Sequence, residues 1–360
     1  MARNRRIAGV ALLVATSHLA LAASKTAEQK QTDLAVAEAT AKALGISAGG
    51  RHSCVIHDAA LECWGDEEFQ NNGRREGKFA AVTCGSWHTC ALDAATHRAK
   101  CFGAGYALQA EVPAIPFKAI SAGFADTCGI SEHDGSLICW GVKSDKELKP
   151  PLGKFAHVSV GTRSACAVSS VDGSVQCWGS DEFQQMSGAP QTTGLRTVSV
   201  GGGHTCALTQ GGRISCWGGS DNYRLGRSIP ATKVAHAQVV SGEDHACALG
   251  QDGAIRCWGH CSTGACDPPP TTSGKPHEYV AVAAGGLRTC GVRKADSVID
   301  CWGDVPEQAP GKPAWPPLPI TKGSAKIEID ARAASVASGI GGMLSRFFGS
   351  AAGSSNSSEL

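Results

Sequence analysis

The chain has 360 residues, 33 Lys and Arg against 32 Asp and Glu, a formal net charge of +1 and only 18% charged residues. So even a balance argues against a nucleic-acid-binding protein, whose affinity rests on a surplus of Lys and Arg, and against an acidic disordered chain. A hydrophobic share of 42% is enough for one sizeable core or two, while 45 Gly and 17 Cys describe a turn-rich chain suited to an oxidising compartment.

The first residues agree with that compartment. Arg3, Arg5 and Arg6 form a basic start, residues 7–22 are almost wholly apolar, and Ala20-Leu21-Ala22 fits a small-residue cleavage site. This pattern predicts a secretory signal peptide over residues 1–22, cut after Ala22, and a secreted, extracellular mature protein. The alternative is an N-terminal membrane anchor, but the apolar run is 16 residues long, against about 20 for a span. No other run is long enough to cross a bilayer.

Next comes an internal repeat. Seven copies of a Gly-x-x-x-x-Cys phrase place their cysteines at Cys54, Cys90, Cys128, Cys166, Cys206, Cys247 and Cys290, in steps of 36 to 43 residues. Each copy closes on Cys-Trp-Gly, as in Cys63-Trp64-Gly65 and Cys139-Trp140-Gly141, except the second, which ends Cys101-Phe102-Gly103. A period near forty means an array of supersecondary units, none of which can bury its own face. Before each Gly stands a β-rich segment such as Val158-Ser159-Val160 or Val198-Ser199-Val200. After it, turn signals such as Asp134-Gly135 and Asp252-Gly253 separate two apolar runs, the strongest short-range hairpin signal. No helix stands out between residues 46 and 303. Seven small antiparallel sheets without helices suggest radial packing, because a ring hides most sheet edges. The expected fold is all-β, a seven-bladed β-propeller over residues 42–318; a linear β-solenoid is the alternative. The strand at residues 44–48 precedes the first hairpin, and residues 314–318 are expected to complete the last blade beside it and clasp the ring shut.

The repeated small-small-Gly-x-x-His-small-x-x-Leu, turn-Gly, Trp-Gly pattern resembles the repeat of the regulator of chromosome condensation family, whose fold also occurs in a secreted bacterial β-lactamase inhibitor protein. Fragments of that family's later segment recur as Asp221-Asn222-Tyr223-Arg224-Leu225-Gly226 and, more loosely, Glu182-Phe183-Gln184-Gln185. The resemblance covers roughly residues 42–318 and implies the propeller fold. It leaves function open, because the fold hosts exchange factors, inhibitors, photoreceptors and receptor ectodomains. This chain departs from the family in carrying a Cys after His-x and another before the Trp.

Those cysteines lie 9 to 11 positions apart and flank a hairpin turn, so they can face each other across two antiparallel strands. One intrablade disulfide per repeat is therefore expected: Cys54 with Cys63, Cys90 with Cys101, Cys128 with Cys139, Cys166 with Cys177, Cys206 with Cys216, Cys247 with Cys257 and Cys290 with Cys301. The alternative is fourteen reduced core cysteines. Cys84 occupies a small core position held by Ala122, Val160 and Val200 in other copies, and is read as a buried inert thiol. Cys261 and Cys266 are read as a local disulfide; a zinc site with His260 would lack a fourth ligand.

The recurrent His52, His88, His204 and His245 do not make a metal ring, because Asp126, Ser164 and Arg288 hold the position in the other copies. They are expected to hydrogen-bond the backbone of a tight turn. No catalytic triad, paired carboxylates, phosphate loop or metal motif is found, so the chain is read as a non-enzyme with no cofactor and no metal. A binding reading has a sharper basis. The two residues between Gly and the His position vary from copy to copy, and in a propeller these tips share one face around the axis. Arg51, Trp87, Phe124, Arg163, Glu243, Asp244 and Leu287 are the candidate binding residues, including the Trp and Arg types that dominate interface hot spots. The equal alternative is a set of unconstrained turn tips.

The repeat is gone by about residue 323. In the tail, 319–360, Ile327, Ile329, Val336, Ile340, Met343, Leu344 and Phe347 mark a weak helical stripe broken by Gly339, Gly341 and Gly342, and the polar end is expected to be disordered. Asn356-Ser357-Ser358 is a glycosylation sequon, usable only in a eukaryotic secretory route. The first functional expectation is a secreted, monomeric module that binds another protein, with no nucleic acid and no membrane span. The alternatives are an extracellular hydrolase or lyase with its site on the propeller face, or a structural extracellular component.

Overall fold

A computed structural model of the chain describes residues 45–57, 59–65, 72–103, 112–141, 149–219, 229, 233–271, 274 and 276–304. The signal-peptide stretch, residues 314–318 and the tail lie outside them. Every regular element among the described residues is a strand, and the strands form seven antiparallel sheets in strict chain order.

Blade 1 is β1 (Ile46–Ala48), β2 (His52–His57), β3 (Ala60–Gly65) and β4 (Gly73–Arg75). Blade 2 is β5 (Phe79–Cys84), β6 (His88–Asp93) and β7 (Ala99–Gly103), and blade 3 is β8 (Phe117–Ala122), β9 (Asp126–Ser131) and β10 (Leu137–Gly141). Blade 4 is β11 (Phe155–Val160), β12 (Ser164–Ser169) and β13 (Val175–Gly179), and blade 5 is β14 (Leu195–Val200), β15 (His204–Thr209) and β16 (Ile214–Gly218). Blade 6 is β17 (His236–Ser241), β18 (His245–Gly250) and β19 (Ile255–Gly259), and blade 7 is β20 (Tyr279–Gly285), β21 (Arg288–Arg293) and β22 (Ile299–Gly303). In each blade the Gly-x-x turn joins the innermost strand to the middle one, and a second turn joins the middle strand to the next, with a left-handed residue that is glycine in blades 3 to 6 (Gly135, Gly173, Gly212 and Gly253).

The register puts the two repeat cysteines directly opposite each other, Cys54 on Cys63 and Cys166 on Cys177 for example. All seven pairs are bridged, with Cα atoms 4.0–4.1 Å apart. Each bridge staples the middle strand of its blade to the outer neighbour.

The core is divided among the seams between blades. Seven apolar clusters occur, one per seam. In each of five, the Trp of one blade's Cys-Trp-Gly packs on the blade before it. Trp178 of blade 4 meets Cys128, Ile130 and Leu137 of blade 3, and Trp302 of blade 7 meets Leu249 and Ile255 of blade 6. Phe102 takes the Trp place in the seam between blades 1 and 2. The aromatic residue before the Gly is thus a wedge for the neighbouring sheet, which is why a blade has no independent core.

The clasp expected of residues 314–318 lies outside the described residues. β1 pairs with β2 inside blade 1, in ordinary antiparallel register. Among the described residues, blades 7 and 1 meet by packing: Ile46 packs against Ala281 and Val292 of blade 7, and Arg288 Nη2 donates to Gly50 O at 3.0 Å. The innermost strand of blade 1 is therefore the equal of the other six.

Candidate protein-interaction face

The seven Gly-x-x-His tips are built one upon another. Gly50 N donates to Gly85 O (3.2 Å), Ser86 N to Gly123 O (3.1 Å), Phe124 N to Gly161 O (3.2 Å) and Thr162 N to Gly201 O (3.4 Å). Blades 5 and 6 continue the chain with Gly202 N on Glu243 O (2.9 Å) and Glu243 N on Gly286 O (2.7 Å). This ring holds all the tips on one face, around the mouth of an axial channel of 290 Å³. It also explains the first glycine of the repeat. A Cβ at Gly242 would stand 2.8 Å from Gly286 O and 2.6 Å from His245 Nδ1, so only a residue without one permits the approach.

Inside the channel the innermost strands carry a second ring. Ser47, Thr83, Ser121, Ser159 and Ser199 each accept, through the side-chain oxygen, the backbone N–H of the next blade's inner strand at 2.8–3.0 Å. Gln238 Oε1 does the same for Val282 N at 3.1 Å. The hydroxyls that line the channel thus act as stitches between blades.

The histidines form a third ring, and here the expectation of a bond to their own turn is corrected. His52 Nε2 meets Thr89 Oγ1 of blade 2 at 2.6 Å, His88 Nε2 meets Thr127 Oγ1 of blade 3 at 2.8 Å, and His245 Nε2 meets Thr289 Oγ1 of blade 7 at 2.8 Å. Each histidine opens its middle strand and is buried in the seam, so its ring reaches the following blade rather than its own backbone. Burial above all holds these imidazoles, and that of His204, at about 3 to 4, well below the usual range, so they act as neutral hydrogen-bonding groups. In blade 6 the position of the threonine is Ala246, and the buried Nε2 of His204 has no partner.

His52, Cys54 and Cys84 bring one ligand atom each within 4.8 Å of one another. Cys54 is committed to its bridge with Cys63, which leaves two donors. The Cys84 thiol donates to Ser47 O at 3.5 Å, and burial pushes it up to about 12. This fits an inert core thiol. Cys261 and Cys266 are joined to each other, and His260 Nε2 meets Ser262 Oγ at 2.7 Å.

The sequence-derived binding residues fall into sectors of the tip face. Trp87 and Phe124, on adjacent blades, meet with ring centroids 4.3 Å apart, and Phe124 is 38% exposed. Arg51 is exposed on blade 1, and Leu287 is half-buried on blade 7, where its backbone oxygen accepts Thr263 Oγ1 and Asp304 N. On the other side Arg163 Nη1 pairs with Glu182 Oε2 at 3.3 Å. Glu243 reaches across the bare tip of blade 5 and accepts Thr162 Oγ1 at 2.9 Å. Burial raises the carboxyls of both Glu243 and Asp244 above the usual carboxylate range. Glu182 and Phe183 were not among the sequence-derived residues. Their signal was present in the loose family match at Glu182-Phe183-Gln184-Gln185, but only the fold brings that loop of blade 4 over the tip of blade 5.

With seven stapled sheets around one axis, the molecule is a β-propeller. Two segments, residues 196–224 and 237–262, match the regulator of chromosome condensation (RCC1) repeat. The matched segments lie in blades 5 and 6, whose repeats are thus similar to RCC1 repeats. Among solved structures, the CRINKLY WD40 ectodomain of the Arabidopsis thaliana receptor kinase ACR4 is 26% identical, covers 74% of this chain and 96% of that chain, and has a TM-score of 0.60. The ectodomain of the Physcomitrella patens receptor kinase CR4 is 22% identical over 72% of this chain and 73% of that chain, with a TM-score of 0.61. Prp20p of Saccharomyces cerevisiae shares the fold at 14% identity, over 81% of this chain and 85% of that chain, with a TM-score of 0.57. No curated protein sequence matches the chain.

Proposed function

We propose that the protein is an exported, non-catalytic recognition module that binds another protein through the tip face of the propeller. The observation that carries the reading is the Trp87–Phe124 pair, an aromatic contact displayed on a rim that six backbone hydrogen bonds between tips keep rigid. A pre-organised aromatic anchor loses little side-chain entropy on binding, and this is why such residues dominate interfaces. Eight disulfides favour an oxidising compartment, in keeping with the leader-like residues 1–22. The likeness to receptor-kinase ectodomains supports the same placement, and Prp20p, with the same fold, is described as binding Gsp1p and histones.

The test is capture of a partner from the extracellular milieu by the mature, non-reduced protein. Trp87→Ala with Phe124→Ala is expected to weaken capture by about tenfold or more. Undiminished capture by that variant would remove the tip face from consideration. Amino-terminal sequencing of exported protein is expected to start at Ala23.

A further inference from the structure

The tip of blade 5 is the one place on the face where Gly201, Gly202 and Gly203 leave no side chain. Both of the last two glycines lie under large neighbours. A Cβ at Gly202 would stand 2.7 Å from Glu243 Oε1, and one at Gly203 would stand 2.8 Å from Phe183 Cδ2. The result is a notch of 350 Å³ between blades 4 and 6. Glu243 and Asp244 form one wall, Thr162, Arg163 and Glu182 the other, and Phe183 lies against the glycine floor.

Among the described residues, the charges in this notch do not balance. Three carboxylates, Glu182, Glu243 and Asp244, line it with one guanidinium, Arg163, which is engaged by Glu182 at 3.3 Å. His260 lies beside Asp244 as a second basic group among the described residues. Glu243 and Asp244 are half-buried, so their charge is poorly solvated and gains more from an incoming cation than an exposed carboxylate would. Below them His204, buried and with no partner on Nε2, also lines the notch and brings no positive charge. The Phe183 ring supplies an electron-rich face of the kind on which guanidinium and ammonium groups settle.

We propose that the notch over blade 5 is a subsite for a basic side chain, Arg or Lys, presented by the protein partner. It rests on the reading of the tip face as a protein-binding surface and adds the chemistry of one contact. The guest's cationic head lies between Glu243 and Asp244, and its flat or aliphatic part lies on Phe183. A neutral or acidic side chain would add no positive charge to that of Arg163 and His260 beside the two half-buried carboxylates. The contact weakens as salt is raised.

The experiment uses the oxidised full chain and needs no natural partner. The blocked tripeptide Gly-Arg-Gly is titrated against isotope-labelled protein, beside its citrulline counterpart, which has the same shape without the charge. The arginine peptide is expected to shift the Gly202 and Gly203 amides saturably, and the citrulline peptide to bind about tenfold more weakly or worse. Glu243→Gln with Asp244→Asn is expected to lower the arginine affinity by about tenfold. Should that variant fold poorly, Phe183→Leu is expected to give a several-fold loss. Shifts absent from the notch, equal binding of the citrulline peptide, or affinity unchanged in the variants would overturn the proposal. Failure of the tip-face reading is separate: it would show as partner capture unaffected by the Trp87 and Phe124 substitutions, whatever the peptides do.

Discussion

The loop after blade 4 and the loop after blade 6 do the same task with different chemistry. Each reaches over the next blade and offers a backbone carbonyl to its tryptophan: Gln185 O to Trp217 Nε1 at 3.0 Å, and Ala265 O to Trp302 Nε1 at 2.8 Å. Each makes its turn one residue earlier with a left-handed backbone, Gln184 at φ 59° and Gly264 at φ 77°. The two closures sit at matching positions. In the blade 4 loop the Asp181 carboxylate accepts the amides of Met186 (2.8 Å) and Ser187 (3.0 Å), and in the blade 6 loop Cys261 is bonded to Cys266. What the neighbouring tryptophan demands is the position of a carbonyl; a carboxylate and a disulfide both satisfy it. The difference lies in what can undo them, acid in one case and reduction in the other.

The largest expected effect comes from the covalent closure. Replacing Cys261 and Cys266 together by Ser should cost about 2 kcal/mol in the chain-entropy model, seen by calorimetry as a fall in Tm of about 4–8 °C. An unchanged Tm would mean that the loop is held by its turn alone.

Asp181→Ala should cost about half as much, ~1 kcal/mol, as for a lost capping side chain. The Ser187 amide first, then that of Met186, holds the Asp181 carboxyl below its ordinary value. Its contribution is therefore complete above the unfolded value of about 3.9 and is lost as pH falls through the lower folded value. Amide protection at Met186 and Ser187 should drop in that acid range, while the Cys261–Cys266 loop keeps its protection. Parallel loss in both loops would dissolve the distinction drawn between them.

The smallest effect concerns the seams beneath the tips. Where Thr127 meets His88 Nε2, Ala246 leaves His204 Nε2 without a partner. Ala246→Thr should restore the missing hydrogen bond and raise the denaturation midpoint, for a gain of at most about 1 kcal/mol. A loss of stability would show that the seam between blades 5 and 6 has no room for the hydroxyl.

Much of this was legible in the chain itself. The cysteine spacing and the turn signal between each pair define a hairpin and its bridge, because cross-strand facing depends on local register alone. Residue by residue the same reading fails at the histidines. His88 and Thr127 are 39 positions apart, and nothing near His88 says that the residue after the next blade's Asp126 will be its hydrogen-bond partner. The notch failed for a similar reason: Phe183 and Glu243 are far apart in sequence and line one notch only because Gly202 and Gly203 leave room between them.

The sequence by itself determined the period, the strands, the cross-linked hairpins and the variability of the tips, since these follow from neighbours along the chain. Only the tertiary structure decided which side chains stitch one blade to the next, how the last blade meets the first, and where Glu182, Phe183, Glu243 and Asp244 converge. Those are relations between units some forty residues apart, and they exist only once stacking the blades has buried the faces that no single blade can bury alone.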